Sequence, residues 1–165
     1  MPSTHRCNVA IVGAGLAGGL IALALAQKHP DLDLRLIDAG ETVGGNHLWS
    51  FFESDVAAQD RWLVEPLICH RWTGYDVAFP AHRRTLDAHY RSIESERLDR
   101  VVRERLPDGA LMLGRRVLAA SATAVVLGDG ERIEADGVAI EVLAASRRRI
   151  TRLRVSRLPE PAERP

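Results

Sequence analysis

The chain has 165 residues, an apolar fraction of 46%, a charged fraction of 27% and a formal net charge of zero. This composition is ordinary for a globular protein with a core of its own, and the zero net charge gives no indication of nucleic-acid binding. The two cysteines, Cys7 and Cys69, provide neither a disulfide framework nor zinc-ligand spacing, so we expect a reducing compartment.

The first long feature is the uncharged segment "VAIVGAGLAGGLIALALAQ" at 9–27. Its apolar length is at the lower limit for a membrane-spanning helix, and Ala24-Leu25-Ala26 resembles a signal-peptidase site. The internal order of the segment favours a third interpretation. Val9–Val12 is a β-branched run typical of a buried strand, glycines follow it, and Leu16–Lys28 is rich in alanine and leucine and predicts a helix. We therefore expect neither a signal peptide nor a transmembrane helix.

A second strand is predicted from Leu32 to Ile37, and Asp38 ends it. Strand, glycine turn, helix, strand and terminal acid form the dinucleotide-binding βαβ unit. Its predicted cofactor-binding residues here are Gly13, Ala14, Gly15, Leu16, Gly18 and Asp38. The first glycine permits a tight turn, the second a close approach of backbone to a pyrophosphate, and the third close packing of helix on strand, while the acid accepts hydrogen bonds from ribose. The alternative is a small-residue helix that merely packs well.

A glycine pair, Gly44-Gly45, follows Asp38 after five residues. Such an extension is found in many flavoproteins, where a further loop approaches FAD, whereas a simple NAD dehydrogenase more often continues directly into another helix. The pair therefore favours FAD over NAD, and we add Gly44 and Gly45 to the predicted cofactor site. A plain flexible turn is the alternative.

The remaining elements are predicted from local pattern. Val56–Ile68 is a helical segment limited by Pro66, Tyr75–Phe79 is a strand, and Glu96–Leu106 is an amphipathic helix with Ser95 as its N-cap. Residues 111–140 are predicted to form several strands with a hairpin turn at 128–130. In flavoproteins of the class that Gly44-Gly45 indicates, a β-meander interrupts the first sheet at this point, so likeness to that class implies that a strand at 137–140 returns to the sheet. Seven aromatic residues form either a substrate-facing wall or ordinary core: Trp49, Phe51, Phe52, Trp62, Trp72, Tyr75 and Phe79.

No catalytic residue can be chosen from sequence alone. The six histidines are scattered without ligand spacing, so we expect no metal site. Glu53, Asp76 and Glu94 are possible acids, but the pattern does not distinguish among them.

Three segments, "IDAGETVGGNH" (37–47), "GGNHLWSFFESD" (44–55) and "LICHRWTGYDVAFPAHRRTLDAHYRSIESERLDRVV" (67–102), closely resemble bacterial lycopene β-cyclases. The resemblance covers about residues 8–140. It departs from the family at Ala88-His89, where a glycine often precedes the tyrosine.

The resemblance implies an α/β fold, with a Rossmann-like FAD-binding βαβ unit and a β-meander, that is incomplete relative to a full flavoprotein. It implies conversion of the linear ends of lycopene into β-rings without net redox change, with reduced FAD as cofactor and NAD(P)H as possible reductant. It also implies that Arg97 lies near the cofactor, although a solvated helix arginine is the alternative that the residue alone favours. It also implies a cytoplasmic enzyme peripheral to the inner membrane. The alternatives are another FAD-dependent hydroxylase or isoprenoid reductase of the same superfamily, or a non-catalytic nucleotide-binding module.

The family pattern is expected to change near residue 141. We divide the chain into a partial FAD/NAD(P)-binding domain, 1–140, and an arginine-rich tail, 141–165, that is non-native or disordered after a truncation or frameshift. An arginine-rich arm that meets acidic lipid or a partner is the alternative. The family's acidic catalytic motif is expected beyond this chain, so we predict that the chain is inactive alone.

Overall fold

The computed structural model describes residues 4–135 and the strand backbone at 138–146 and 149–157. The strands are β1 Thr4–Cys7, β2 Val9–Val12, β3 Leu34–Ile37, β4 Leu48–Phe52, β5 Ile68–Trp72, β6 Tyr75–Phe79, β7 His82–Leu86, β8 Tyr90–Glu94, β9 Leu111–Met112, β10 Val117–Ala120, β11 Ala124–Leu127, β12 Arg132–Ala135, β13 Val138–Ser146 and β14 Arg149–Arg157. The α-helices are α1 Leu16–Lys28, α2 Arg61–Val64 and α3 Ser95–Arg105, and short 3-10 turns lie at Glu53–Asp55, Ala58–Asp60 and Glu65–Leu67.

The apolar segment at 9–27 is divided between strand β2 and helix α1, with a glycine turn between them. Strands β2, β3 and β9 form a parallel sheet in that order, and α1 connects the first two. This confirms the predicted strand–turn–helix–strand unit. No helix within the described residues is long and apolar enough to cross a bilayer.

The second strand starts at Leu34, two residues later than predicted. The cause is the hydrogen bonding of Asp33. Its carbonyl accepts the backbone N–H groups of Asn8 and Val9, at 2.7 and 3.1 Å, while its own N–H donates to Asn8 Oδ1 at 2.9 Å. These bonds fix the turn that leads into the strand.

Helix α1 packs through small residues. Gly18, Gly19, Ala22 and Leu23 are its buried positions. A Cβ on Gly19 would lie 3.3 Å from Leu98 Cδ1, so the glycine lets α3 approach α1 closely. Leu98, Val101 and Val102 form the buried face of α3, and they share one core with Leu34 and Leu36 of the parallel sheet.

Strands β4, β8 and β5 form an antiparallel sheet in that order, beside the parallel one. Because side chains alternate along a strand, its two faces carry different residues. Trp49, Phe51 and Ile93 lie on the inner face and pack in the main core, which accounts for part of the aromatic cluster as core. Phe52 and Trp72 are on the outer face. Strands β6 and β7 form a separate hairpin.

A smaller core lies under a mixed four-stranded sheet, ordered β1-β12-β11-β10. Cys7, Ile37, Val125, Leu127 and Ile133 are its buried members. Strands β10, β11 and β12 run antiparallel in sequence, and the turn at 128–130 joins the last two, so the meander and its hairpin are confirmed.

Two predicted elements need correction. Ser95 is not the N-cap of α3 because the strand conformation continues to Glu94, which takes the cap position without a side-chain cap bond. Ser95 is instead buried in the first turn, where its hydroxyl oxygen accepts the His47 N–H at 3.4 Å. The partner predicted for the strand at 137–140 is also wrong. Strand β13 pairs antiparallel with β14 and does not join the first sheet. Residue 137 lies outside the described residues.

The helical segment predicted at 56–68 is present only as α2, flanked by 3-10 turns, the second of which carries Pro66. In the region predicted as a tail, residues 141–146 and 149–157 have strand backbone, and residues 147–148 and 158–165 lie outside the described residues. The division of the chain at residue 141 stays a prediction.

Candidate dinucleotide site

The glycine turn after β2 is held by Ile37, the last residue of β3, and by Asp38, which follows it. Gly13 has a φ of +97°, which favours glycine, and its N–H donates to Ile37 O at 2.8 Å. The next N–H, that of Ala14, donates to Asp38 Oδ2 at 2.7 Å. Asp38 therefore fixes the shape of the glycine turn through a charge-assisted hydrogen bond.

The N-terminus of α1 opens to solvent at this turn. Gly15 takes the cap position with an extended backbone, and a Cβ built there would meet no atom within 4 Å. The first hydrogen bond of the helix runs from Gly19 N–H to Gly15 O at 2.9 Å. The preceding N–H groups, including that of Leu16, have no partner within the helix, so they and the helix dipole form an anion-binding arrangement.

Gly18 is enclosed rather than open. A Cβ at this position would lie 1.9 Å from Gly13 O, a distance that no side chain can occupy. The first turn of α1 thus packs directly on the backbone of the glycine turn, and this packing requires glycine.

A second loop, Ala39–Gly45, lies against the glycine turn. Gly40 N–H donates to Asp38 Oδ1 at 2.7 Å, and Gly44 N–H donates to Ala14 O at 2.7 Å. Gly44 and Gly45 have φ angles of +83° and +61°. A Cβ on Gly44 would lie 2.9 Å from the Trp49 ring, so both the backbone conformation and the packing demand glycine at this point.

Helix α3 holds this loop from outside, through a pair that the sequence analysis missed. Asp99 Oδ1 accepts the Val43 N–H at 2.8 Å, and Asp99 Oδ2 accepts Arg103 Nε at 2.8 Å. Arg103 Nη2 also donates to Glu41 O at 3.1 Å. Burial opposes ionisation of Asp99, but the Arg103 guanidinium and the Val43 N–H outweigh it and lower the pKa of the carboxyl. The available sequence signal was the i,i+4 Asp–Arg spacing, which usually marks an exposed helix pair.

Arg97 is half-buried, and its Nε donates to Pro66 O at 2.8 Å. The side chain thus ties α3 to the turn before β5. Within residues 4–135, no hydrogen bond joins Arg97 to the glycine turn.

The three acids considered from sequence have different surroundings. Burial opposes ionisation of Glu53, but the neighbouring Arg91, Arg61 and His89 lower its pKa. A hydrogen bond from His70, 2.8 Å from Nε2 to Oε1, lowers the pKa of Glu94 despite partial burial. Asp76 Oδ1 accepts the Thr85 hydroxyl at 2.7 Å.

Among the described residues, no group of three or more His, Cys, Asp or Glu side chains is close enough to hold a metal ion.

Solved structures with low sequence identity share this fold. The chain superposes on p-nitrophenol 4-monooxygenase from Pseudomonas putida with a TM-score of 0.59 at 15% identity, over 88% of this chain and 47% of that one. It superposes on HpxO from Klebsiella pneumoniae, solved with FAD and uric acid, with a TM-score of 0.57 at 15% identity, over 80% of this chain and 37% of that one. The architecture is therefore the Rossmann-like fold of FAD-dependent monooxygenases, present in part.

Sequence comparison identifies the protein family to which the chain belongs. The family described as "Lycopene cyclase protein" matches residues 8–156, so the chain belongs to the lycopene cyclase family. The lycopene β-cyclase of Pseudescherichia vulneris is 44% identical over 132 residues, and that of Pantoea ananas 42% identical over 132 residues. Each alignment covers 79% of this chain and 34% of the relative, so the chain spans about a third of the length of the curated relatives it matches.

Proposed function

We propose that this chain supplies the dinucleotide-binding part of an FAD-dependent lycopene β-cyclase. The observation that carries the proposal is the open N-terminus of α1 at Gly15, held in place by Asp38 and covered on one side by the Gly44 loop. The identity of 42–44% to two lycopene β-cyclases supports the substrate and the reaction.

The residues at the site fit an FAD molecule. The N-terminus of α1 would receive the pyrophosphate. The residues that surround it are Gly13, Ala14, Gly15, Leu16 and Gly18. Each oxygen of Asp38 accepts one backbone N–H, which leaves lone pairs for ribose hydroxyls. The loop at Gly44 and Gly45 would border the cofactor. Arg97 Nε donates to Pro66 O, so its four Nη–H donors are the groups that it would have available for the cofactor.

Ring closure of a lycopene end group is an isomerisation. A proton adds to the terminal double bond, the resulting carbocation closes a carbon–carbon bond, and a different proton leaves to form the ring double bond. Protons and electrons balance, so no net oxidation occurs. When bound, FAD in its reduced form, with NAD(P)H as the reductant, would supply an electron-rich ring that stabilises positive charge. The glycine turn and the N-terminus of α1 would hold the cofactor by its phosphates.

The substrate of this reaction is an apolar polyene that partitions into bilayers. We therefore place the enzyme in the cytoplasm at the surface of the inner membrane, where the lipid-borne polyene can reach it. Nucleic acid is not proposed as a partner, because the chain has zero net charge.

Two matched alanine substitutions test the cofactor site in the full chain. In Gly15→Ala, the new methyl group projects into open space and the backbone angles suit alanine, so the fold should be kept. The methyl group would, however, hold a phosphate away from the first N–H groups of α1. Gly128→Ala is the control. Its Cβ would make an ordinary contact, 3.5 Å from Arg116 O, and residue 128 is far in sequence from the glycine turn.

Titration of each protein with FAD, followed by flavin fluorescence, gives the dissociation constants. Loss of one charge-assisted hydrogen bond costs roughly 1.5–3 kcal/mol, so we expect Gly15→Ala to raise the dissociation constant at least about tenfold. Gly128→Ala should match the unmodified chain. Equal FAD affinity in all three proteins would contradict the proposal.

A further inference from the structure

The β6–β7 hairpin lies outside the two cores of the molecule. Every residue from 78 to 85 is exposed, and no residue from 75 to 86 belongs to either core. The base of the hairpin is held by a ring contact between Tyr75 and Phe52, whose centroids are 5.9 Å apart, and by a hydrogen bond of 2.7 Å from the Thr85 hydroxyl to Asp76 Oδ1. A hairpin of two strands is marginally stable by itself, so a surface that covers its exposed end would stabilise it.

The end of this hairpin is apolar. A two-residue turn, Pro80-Ala81, joins Phe79 to its cross-strand partner His82. Phe79 is 64% exposed, so most of its aromatic ring faces solvent. Pro80 and Ala81 are exposed as well, and their side chains carry neither charge nor hydrogen-bonding groups. Transfer of this surface out of water is favourable, so the tip favours contact with an apolar phase.

Two arginines follow the tip directly. Arg83 and Arg84 are consecutive residues of β7, so their side chains point to opposite faces of the hairpin. Within residues 4–135, neither guanidinium forms an ion pair or a hydrogen bond. The segment 77–84, "VAFPAHRR", contains no acid, and the nearest acids in sequence, Asp76 and Asp87, are at the base. The outer end of the hairpin is therefore basic as well as apolar.

The spacing of these groups matches the boundary of a lipid bilayer. A strand rises about 3.4 Å per residue, so Arg83 and Arg84 lie roughly 7 and 10 Å behind Ala81. Interfacial elements bury their apolar side about 5–10 Å into the headgroup region. With Phe79 at that depth, the long arginine side chains reach the lipid phosphates.

A protein partner matches this end of the hairpin less well. The centre of a protein interface is depleted in charged residues, whereas two arginines follow the apolar tip here. A second copy of the chain docked tip to tip would bring four guanidinium groups together, and like charges repel.

We propose that the tip of the β6–β7 hairpin docks the protein on anionic lipid bilayers, with Phe79 in the interface and Arg83 and Arg84 on the lipid phosphates. This inference rests on the proposed function, which places the enzyme at a membrane surface, and it names the surface that makes the contact.

The docking surface lies at the opposite end of the antiparallel sheet from the dinucleotide site. The hairpin follows Trp72, which pairs with Tyr90 at one end of β8. The Gly44 loop leads into Leu48, which pairs with Glu94 at the other end. Four strand steps of about 3.4 Å, roughly 14 Å in all, separate these two ends. A bilayer on the hairpin therefore leaves the dinucleotide site open to the cofactor.

Vesicle sedimentation with the full chain tests the proposal. One set of vesicles contains phosphatidylcholine and phosphatidylglycerol in equal parts, and the other contains phosphatidylcholine alone. We expect tighter binding to the anionic vesicles, and we expect high salt to remove the difference because it screens the attraction between guanidinium groups and lipid charge.

A double substitution tests the two arginines. Arg83→Gln combined with Arg84→Gln should lower the affinity for anionic vesicles about 30-fold, because each arginine near an anionic bilayer contributes about a fivefold gain. Arg100→Gln combined with Arg105→Gln is the control, since it makes the same change in net charge at exposed positions of α3.

A single substitution tests the apolar tip. Phe79→Ser should lower the affinity at least about tenfold, because no aromatic ring then leaves water on binding. Leu118→Ser is the control, since Leu118 on β10 is also 64% exposed. Circular dichroism checks that every variant is folded, and Phe79→Ser keeps the test valid if the arginine variant does not fold.

Absence of binding to the anionic vesicles, or equal losses in a variant and its control, would overturn the proposal. Self-association that Phe79→Ser abolishes, measured by sedimentation velocity, would also overturn it, since the tip would then be a protein contact. FAD affinity is measured in the same samples. Retained FAD binding without hairpin-dependent vesicle binding rejects the docking surface alone, whereas loss of FAD binding in the unmodified chain rejects the proposed function.

Discussion

The adjacent glycines Gly18 and Gly19 of α1 should respond differently to substitution by alanine. A Cβ on Gly18 would lie 1.9 Å from Gly13 O, a backbone atom that cannot rotate away. A Cβ on Gly19 would lie 3.3 Å from Leu98 Cδ1, the end of a side chain that can adjust by a few tenths of an ångström. Gly18→Ala should therefore disrupt the glycine turn, and Gly19→Ala should not.

The magnitudes follow from two opposing effects. Alanine in place of glycine favours a helix interior by about 1 kcal/mol. At Gly18, relief of the overlap requires a backbone shift of more than an ångström, which places the cost at the upper end of the range for overpacking, about 3 kcal/mol. We expect a net loss of about 2 kcal/mol for Gly18→Ala, and a change within about 1 kcal/mol of zero for Gly19→Ala.

Urea unfolding followed by circular dichroism measures both variants. With a slope of about 2 kcal/mol per molar urea, the midpoint of Gly18→Ala should fall by about 1 M. FAD affinity should fall as well, because the substitution displaces the turn that presents the first N–H groups of α1. Equal midpoints for Gly18→Ala and the unmodified chain would refute the reasoning on backbone overlap.

Other predictions concern α3 and the activity of the chain. Asp99→Ala removes the acceptor of the Val43 N–H and should weaken FAD binding about tenfold by flavin titration, whereas exposed Arg100→Ala should not. Equal effects of the two substitutions would show that Asp99 does not hold the Ala39–Gly45 loop in place for the cofactor. Because the folded-state pKa of Asp99 is lowered, its carboxylate stabilises the fold above its unfolded pKa, about 3.9, and this contribution is lost as pH falls through the folded pKa. Asp99→Asn should therefore flatten the acid end of a stability-against-pH curve, and parallel curves would contradict this. The chain alone, incubated with lycopene, FAD and a reductant, should yield no cyclic carotene by chromatography; β-carotene formation would disprove the expected inactivity.

The βαβ unit was predictable because its signals are local. The apolar run of β2, the glycine turn and the alanine-rich α1 each follow from neighbouring residues, and the observed bounds of β2 and α1 equal the predicted ones. The structure adds what local pattern does not contain. Both carboxylate oxygens of Asp38 accept backbone N–H groups, so this side chain stabilises the conformation of the turn.

The antiparallel sheet was harder to predict because its pairing partners are far apart in sequence. Leu48 pairs with Glu94, and β5 contributes polar residues such as His70 and Arg71 that hide its strand character. Strand preference depends on cross-strand neighbours, which the linear sequence does not reveal. Asp99 was missed for a related reason, since its spacing to Arg103 is that of a surface pair while its other oxygen reaches a distant loop.

The bonds around Asp38 bear on the order in which the molecule can form. Its backbone N–H donates to Met112 O at 3.0 Å, and its carbonyl accepts the Arg115 N–H at 2.8 Å. A nascent chain of forty residues already contains every glycine of the turn, yet it lacks the distant strand that immobilises Asp38. The cofactor motif should therefore acquire its final shape only after the ribosome has released residue 115, and a shorter nascent peptide should leave FAD unbound.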